Sequence, residues 1–224
     1  MEINWNKYFN HIFVISGCSN VERRNWIDQE FKRVGIEHFN YWYNFSDNKR
    51  LILYNILLKQ NYAAYGHYSL IKTCYELGYD NVLICEDDIC FLNDVKTIYN
   101  TLEEFNKIKP EINAYLFDHI QYNKNNVIFF ADCYYLDRKG MEYLIYCLET
   151  YPLNVDCYWF EQLLYPNTLD RLDLLYNTTT NYGDVIINID KPIQLYLSPT
   201  ILCIQKWEDE LFYSPPLDET LYNK

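Results

Sequence analysis

A continuous apolar run that leads directly into three acids constrains this chain most. Residues 82–85, Val-Leu-Ile-Cys, are followed at once by Glu86, Asp87 and Asp88. A short apolar run of this kind is typical of a strand that is buried on both faces of a parallel sheet. Three carboxylates beside a buried strand destabilise the fold unless they meet water, a cation or hydrogen-bond donors. The end of this strand must therefore meet water, a bound cation or hydrogen-bond donors.

Strand-like and helix-like segments alternate through the N-terminal part of the chain. Such alternation is typical of an α/β fold in which helices cover both faces of a mostly parallel sheet. Glycines follow two of the predicted helices and act as stop signals. The predicted strands are residues 12–15, 38–43 and 82–85, and the predicted helices are residues 21–34 (ended by Gly35), 51–58 and 68–77 (ended by Gly78).

The carboxyl ends of the predicted strands indicate where a ligand would bind. In open α/β sheets, ligands lie beyond these ends. Ser16 and Gly17 follow the first strand, and the acidic triplet follows the strand at residues 82–85. The sequence therefore predicts a ligand site at this edge of the sheet.

The second half of the chain has a less regular pattern. Asp137 is suited to cap a helix that runs to Glu149. No linker or internal repeat divides the chain, so we expect a single domain. The other predicted elements are strands at residues 114–117 and 127–136, a short helix at 155–164, and short strands with an irregular tail at 166–224.

The balance of charge argues against some classes of partner. The chain has 19 basic and 31 acidic residues, so its formal net charge is −12. A surface of this sign repels polyanions, which disfavours nucleic acid or an anionic bilayer as the main partner. A nucleotide sugar stays compatible with this charge, because a bound divalent cation can screen one diphosphate locally.

The cysteines and the N-terminus together indicate a reducing compartment. The chain has eight cysteines but no Cys-x-x-Cys pair, and their spacing is poor for zinc. We therefore expect buried free thiols. The N-terminal residues lack the basic and apolar regions of a signal peptide, and no apolar window is long enough to cross a bilayer. From these features we expect a cytoplasmic protein.

The acidic triplet has the residue types of a divalent-metal site. Glu86 and Asp88 are two positions apart, so an extension of the strand would direct both side chains to the same side. Carboxylate oxygens suit magnesium or manganese that is bound jointly by protein and substrate phosphates. Such a metal would neutralise a leaving diphosphate. A solvated acidic turn is the alternative, and these residues by themselves leave both interpretations open.

Three blocks of motifs occur in a fixed order between residues 11 and 160. They are Phe-Val-Ile at 13–15 with Glu-Arg-Arg at 22–24; His67, a helix, Gly78 and the acidic triplet; and Tyr-Tyr-Leu at 134–136, Lys-Gly at 139–140 and Leu-Asn-Val-Asp at 153–156. In this order and at this spacing they resemble glycosyltransferase family 25, the lipooligosaccharide and collagen galactosyltransferases. The resemblance implies a single GT-A-like domain over residues 1–224. Residues 1–92 would bind the donor nucleotide, and residues 93–224 would form the acceptor side and an irregular tail.

The resemblance also implies a chemistry. The family's activity would be an inverting hexosyl transfer from a UDP-sugar, with manganese or magnesium. UDP-galactose is the expected donor, with UDP-glucose next. The acceptor would be a glycan, such as a lipooligosaccharide, or a protein hydroxyl. By resemblance, Glu86 and Asp88 would bind the metal, and Asp87 would contact the metal or the donor's ribose.

Two adjacent arginines are candidates for donor binding. Arg23 and Arg24 lie at the start of the first predicted helix, near the end of the first strand. A guanidinium at this place could hold a phosphate or the uracil ring, and the helix N-terminus adds favourable partial charge. A surface salt bridge with Glu22 or Asp28 explains the same residues equally well.

Other donor contacts are expected from the turn after the first strand and from one histidine. Ser16 and Gly17 would contact the nucleotide through backbone groups. His67 would contact the donor or stabilise the site through a hydrogen bond, and a purely structural histidine is the alternative. Asp118 and His119, at the end of another predicted strand, could line the cleft.

Asp156 is the expected catalytic base. In an inverting transfer, one carboxylate removes the proton from the acceptor hydroxyl, which requires hydrogen-bond reach of that hydroxyl. Asp156 could instead cap the helix predicted at residues 155–164. Glu161, on the same predicted helical face, is the second candidate.

Two other functions stay open at this point. A catalytically inactive family member could bind sugars or a partner, and Gly66 motivates this alternative because the family has a serine there, before the histidine. A metal-dependent phosphodiesterase would also use clustered acids. It is less favoured, because the four histidines form no paired motif and the acidic charge disfavours nucleic acid.

Overall fold

The computed structural model describes residues 2–44, 61–117, 119–123, 126–129, 132–150, 195–198, 200 and 202–205. The helices predicted at residues 51–58 and 155–164 lie outside the described residues, as does most of the predicted irregular tail.

A six-stranded mixed sheet forms the centre of the fold. In spatial order its strands are β2 (Asn40–Asn44), β1 (His11–Gly17), β3 (Asn81–Glu86), β8 (Cys133–Asp137), β5 (Ala114–Leu116) and β9 (Leu195–Leu197). β2, β1 and β3 pair in parallel, as do β5 and β9, whereas β8 pairs antiparallel with both β3 and β5. The predicted α/β class is confirmed, and the sheet is mixed because β8 reverses direction.

Two short antiparallel ladders accompany the sheet. β4 (Ile89–Phe91) pairs with β10 (Cys203–Gln205), and β6 (His119–Asn123) pairs with β7 (Asn126–Phe129). The strand predicted over residues 127–136 is therefore divided between β7 and β8. An antiparallel neighbour such as β8 needs no helical crossover, and the described residues between β5 and β8 include the β6–β7 ladder.

Four α-helices in the described part of the chain flank the sheet, and their ends follow the expected signals. They are α1 (Val21–Val34), α2 (Asn61–Glu76), α3 (Val95–Ile108) and α4 (Arg138–Thr150). Gly35 and Gly78 adopt positive φ angles of 83° and 79° after α1 and α2, a conformation that glycine takes without strain. Asp137 caps α4, since its Oδ1 accepts from the N–H of Gly140 at 2.6 Å. The predicted cap and both predicted stop signals are thus confirmed.

The sheet separates two apolar clusters, one on each face. The larger cluster packs α1 and α3 against one face and is rich in aromatic rings, among them Phe9, Phe31 and Phe105. The smaller cluster packs α2 and α4 against the other face. Neighbouring residues of one strand alternate between the clusters, so that Tyr135 belongs to the first and Tyr134 to the second. The carboxyl ends of β1 and β3 therefore lie between α1 on one face of the sheet and α2 on the other.

The six cysteines whose side chains the structure describes form no disulfide with one another, and four of them are buried as predicted, whereas Cys18 and Cys90 are partly exposed. Cys85 of β3 and Cys133 of β8 are directly opposite each other in the ladder, and their sulfurs lie 3.6 Å apart. Within the described helices, none has the length and apolar character that a membrane crossing requires.

Candidate active site

The acidic triplet lies at the carboxyl end of β3, where the chain turns into β4. Glu86 is the last residue of β3, and its N–H donates to the carbonyl oxygen of Asp132 at 2.7 Å. Asp87 and Asp88 form the turn that follows, and each is only 4% exposed. Because strand geometry ends at Glu86, the alternation that places Glu86 and Asp88 on one side does not extend to Asp88. The two carboxylates instead meet different helices.

Arg23, in the first turn of α1, is the cation beside the two aspartates. Its Nη1 donates to Oδ2 of Asp88 at 2.7 Å and reaches Oδ1 of Asp87 at 3.5 Å. The second oxygen of each carboxylate, Oδ2 of Asp87 and Oδ1 of Asp88, is buried and has no hydrogen-bond partner among the described residues. Buried polar atoms without a partner are uncommon in folded proteins. One guanidinium nitrogen is thus shared by two buried carboxylates, each of which has one oxygen that no described residue satisfies.

This excess of buried acid raises the pKa of both aspartates. Burial raises the pKa of Asp87, and a hydrogen bond from Ser16 and the charge of Arg23 offset only part of the effect. Burial and the charge of Glu86 raise the pKa of Asp88 to about 7, against the opposing charge of Arg23. Carboxylates with raised pKa values at the end of a sheet are typical of functional sites. A further cation would stabilise both in their ionised form.

Glu86 has a different environment, formed by α2 and β8. Its Oε1 lies 2.9 Å from Nε2 of His67, and Nδ1 of the same ring lies 2.7 Å from the hydroxyl of Tyr134. His67 is 2% exposed and Tyr134 is fully buried. A buried line of three side chains therefore connects the smaller apolar cluster to the acidic triplet.

Arg24 does not meet the triplet but holds the turn between β1 and α1. Its Nη1 donates to the carbonyl of Gly17 at 2.7 Å and to Oγ of Ser16 at 3.2 Å, and its Nη2 donates to the carbonyl of Cys18 at 3.1 Å. The guanidinium also lies 5.4 Å from the centre of the Tyr43 ring. In the described structure, Arg23 and Arg24 do not form the expected salt bridge with Glu22 or Asp28. Arg24 therefore fixes the backbone at the place where a nucleotide contact is predicted.

The structure brings eight of the predicted site residues to one edge of the sheet. These are Ser16, Gly17, Arg23, Arg24, His67, Glu86, Asp87 and Asp88. Asp156, Glu161 and Asp118 lie outside the described residues. His119 begins β6, where the structure describes the backbone alone. The roles expected for all of these residues stay predictions.

No role was predicted for Tyr134, although the pair Tyr134-Tyr135 belongs to the third block of family motifs. The alternation of a strand predicts that the two rings face opposite sides. The signal that would have singled out Tyr134 is the register of β8 against β3, which pairs it with Ile84. That register arises only when the sheet is assembled.

Among the described residues, no three His, Cys, Asp or Glu side chains converge in a way that could hold a metal ion. Oδ2 of Asp87 and Oδ1 of Asp88, which have no partner among the described residues, fit a divalent cation, because ionised carboxylates are the preferred ligands of magnesium and manganese. Two such oxygens by themselves would form only a partial site.

Comparison with known proteins identifies the family. The model of glycosyltransferase family 25, described as an LPS biosynthesis protein, matches residues 9–159. No curated protein matches the chain. A solved structure of a glycosyltransferase involved in the glycosylation of the major capsid of PBCV-1 covers 84% of this chain and 81% of its own, at 9% identity and a TM-score of 0.43.

A second solved structure, of A197 from STIV, covers 59% of this chain and 67% of its own, at 10% identity and a TM-score of 0.32. Both TM-scores and both identities are low. The family assignment therefore depends on the family model, which spans about two thirds of the chain and includes the acidic triplet, Arg23 and His67.

Proposed function

The chain belongs to glycosyltransferase family 25, and we propose that it transfers a hexose, galactose before glucose, from a UDP-sugar to a hydroxyl of a glycan or a protein. The transfer proceeds with inversion and depends on manganese or magnesium. The edge of the sheet at β1 and β3 binds the nucleotide end of the donor. The acceptor side is formed by the second half of the chain.

The observation that supports this proposal most directly is the incomplete charge balance at Asp87 and Asp88. Each buried carboxylate has one oxygen without a partner among the described residues, and the pKa of each is raised. A purely structural acidic turn would pair these oxygens or expose them to water. A site that binds a cation and a diphosphate would explain why no described residue satisfies these two oxygens.

Glu86 and Asp88 would hold the metal, and Asp87 would contact the metal or the ribose of the donor. When bound, a divalent cation supplies charge neutralisation for the diphosphate that leaves the sugar. Arg23 lies against the same carboxylates, at the N-terminus of α1, where anions are favoured. This position supports the proposal that Arg23 binds a phosphate oxygen of the donor. Arg24 keeps the backbone of Ser16 and Gly17 in place for the nucleotide.

The catalytic base in this proposal is Asp156, with Glu161 as the second candidate. A base must come within hydrogen-bond reach of the acceptor hydroxyl and accept its proton during in-line attack on the anomeric carbon. Neither residue belongs to the part of the chain that the structure describes. The proposal for both therefore depends on the family motif around residues 153–156.

A thermal-shift panel of nucleotide sugars, each with and without manganese, tests the donor. Binding to the native state alone raises the melting temperature by mass action. We expect a rise that requires both a UDP-sugar and the metal, with UDP-galactose giving the largest shift. A cooperative melt that no donor shifts would contradict the proposal.

Transfer itself is tested by Asp156→Asn. We expect this variant to keep the metal-dependent shift with the donor and to lose transfer to the acceptor, measured as released UDP in the presence of a candidate glycan. Asp94→Asn is the control, because Asp94 is an exposed carboxylate that caps α3. Transfer by Asp156→Asn at the wild-type rate would exclude Asp156 as the base.

One observation favours a second candidate, a catalytically inactive member that binds sugars or a partner. Arg23 already provides a positive charge at Asp87 and Asp88, so the turn is partly compensated without any metal. In that case a nucleotide sugar would shift the melting temperature equally with and without manganese, and no UDP would be released.

A further inference from the structure

Both ring nitrogens of His67 are engaged by side chains at hydrogen-bond distance. The hydroxyl of Tyr134 lies 2.7 Å from Nδ1, and Oε1 of Glu86 lies 2.9 Å from Nε2. His67 comes from α2, Glu86 ends β3, and Tyr134 is in the middle of β8. Three separate elements thus contribute to one short line of polar groups.

The direction of these hydrogen bonds follows from the chemistry of the partners. An ionised carboxylate only accepts, so Nε2 of His67 carries the hydrogen that Glu86 receives. A neutral imidazole has one donor and one acceptor, so Nδ1 is then the acceptor. The hydroxyl of Tyr134 donates to it. For a neutral His67, the order is therefore Tyr134 O–H to Nδ1, then Nε2–H to Glu86.

We propose that Tyr134 is a positioning residue for this glycosyltransferase, which holds His67 in the Nε2–H tautomer and thereby fixes the carboxylate of Glu86 at the donor site. The proposal rests on the proposed function for the identity of that site. It assigns to the tyrosine an action through His67, without contact with the donor.

Burial protects the hydrogen bond between Tyr134 and His67 from competition by water. His67 is 2% exposed and Tyr134 is fully buried, so water does not readily replace the hydroxyl as partner of Nδ1. The side chain of Glu86 keeps 22% of its surface exposed, against 5% and 6% for Asp87 and Asp88. Glu86 is thus the most accessible acid of the triplet. The hydrogen bond from His67 to one oxygen of Glu86 restricts the orientations in which this carboxylate can bind a ligand.

The neighbouring Tyr135 offers a matched control. It is as deeply buried as Tyr134, at 2% exposure, but lies on the other face of the sheet in the larger cluster. Its ring packs at 4.9 Å from that of Phe105. Tyr135→Phe therefore removes the same atom from the same strand without touching His67.

The first test is independent of any donor. In the full chain labelled with 15N-histidine, long-range proton–nitrogen correlation spectra report the tautomer of each histidine. We expect His67 as Nε2–H in the wild type, a shifted Nδ1 resonance or a changed tautomer in Tyr134→Phe, and an unchanged His67 in Tyr135→Phe. His67 spectra that are identical in wild type and Tyr134→Phe would overturn the proposal.

The second test measures donor affinity by calorimetry with manganese present. We expect Tyr134→Phe to weaken binding of the UDP-sugar about tenfold, as is usual for partners that orient a binding residue, and Tyr135→Phe to leave it unchanged. In a double-mutant cycle with His67→Gln, Tyr134→Phe should add little further loss, because its action passes through His67.

The outcomes separate the two proposals. Equal donor affinity in Tyr134→Phe and wild type, or losses that add fully in the cycle, would overturn the positioning role. A wild type that binds no nucleotide sugar would overturn the proposed function, whereas the histidine spectra would still decide whether Tyr134 sets the tautomer.

Discussion

Helix α1 carries two arginines that contact buried carboxylates, one near each end. At its C-terminal end, Arg33 donates from Nε to Oε2 of Glu30 at 2.8 Å and from Nη2 to Oε1 at 2.6 Å. Oε1 also accepts from the N–H of Phe91 at 2.7 Å, and Arg33 Nη2 donates to the carbonyl of Phe91 at 2.8 Å. Both oxygens of Glu30 are satisfied, and the pair joins α1 to β4.

The N-terminal end uses the same residue types with a different result. Arg23 offers one nitrogen to two carboxylates, and one oxygen of each stays unsatisfied among the described residues. The pKa values follow this difference. Burial acts to raise the pKa of Glu30, but hydrogen bonds from Arg33 and from Phe91 bring it below its usual range. The pKa of Asp88 is raised.

The contrast distinguishes a structural ion pair from an incomplete one. A buried carboxylate with all its hydrogen bonds stabilises the fold in its ionised form. Ionisation of a buried carboxylate that has an unsatisfied oxygen instead destabilises the fold. Neutralising Glu30 should therefore lower the free energy of unfolding of the protein. Neutralising Asp88 should not.

The largest expected effect is on function, in Asp88→Asn. Removing the charge while keeping the shape should lower metal-dependent affinity for the UDP-sugar by at least about 100-fold, because a carboxylate ligand is lost. The unfolding free energy at pH 8 should rise by about 1 kcal/mol, since a buried destabilised charge is removed. Calorimetry and urea denaturation measure the two quantities. Unchanged donor affinity would exclude Asp88 as a metal ligand.

Glu30→Gln should produce the opposite result. We expect the unfolding free energy to fall by about 2 kcal/mol, because charge-assisted hydrogen bonds to Arg33 and Phe91 are weakened in a buried place. Donor affinity of the folded variant should equal that of the wild type. Glu104→Gln is the matched control, since Glu104 pairs with Lys107 at the same i,i+3 spacing but on the exposed surface. A loss as large in the control would show that burial is not the cause.

A smaller effect is expected in the pH dependence of stability without metal. The pKa of Asp88 is raised from 3.8 to about 7, so the native state binds more protons than the unfolded state between these values. Ionisation of Asp88 thus destabilises the fold progressively as the pH rises from about 4 to about 7. The melting temperature of Asp88→Asn should exceed that of the wild type most at pH 8, and the excess should shrink as the pH falls toward 5.

Glu30 contributes with the opposite sign. Its lowered pKa stabilises the fold above its usual pKa, and this contribution is lost as the pH falls through the lowered value. Melting curves of both variants in chelator across pH 4–8 measure the two trends. An excess for Asp88→Asn that is independent of pH would contradict the raised pKa.

The smallest expected effect is the change in unfolding free energy when each arginine is replaced by lysine. Arg33→Lys should lower the unfolding free energy by about 1 kcal/mol, because an ammonium cannot reproduce the two-pronged contact with Glu30 and the bond to Phe91. Arg23→Lys should leave it nearly unchanged, since a single nitrogen makes both of its contacts. Urea denaturation of the two variants measures the difference. Equal losses would remove the distinction between the two pairs.

Several parts of the fold were predictable from local patterns. α1 begins and ends where its apolar spacing and Gly35 indicated, and the cap at Asp137 begins α4 as expected. The apolar run before the triplet forms β3. These features depend on neighbouring residues in the chain, so a pattern of a few positions is enough to identify them.

Other parts depended on contacts between distant segments. The reversal of β8 and the division of the strand predicted at residues 127–136 follow from strand pairing, which no local pattern specifies. The same holds for Glu86 and Asp88. The sequence placed them on one side of an extended strand, but the chain turns after Glu86 and directs them to different partners.

By itself, the sequence determined β1, α1 and β3, the position of three acids at the end of a buried strand, and the family motifs that accompany them. Only the tertiary structure decided which acid meets which partner. Arg23 and Arg33 are equally plausible ion-pair residues in the sequence. Packing of α1 against β4 completes the contacts of the Glu30 carboxylate with Arg33 and Phe91. The turn after β3 instead leaves one oxygen of Asp87 and one of Asp88 without a partner among the described residues, because hydrogen-bond satisfaction depends on atoms that only the assembled fold brings together.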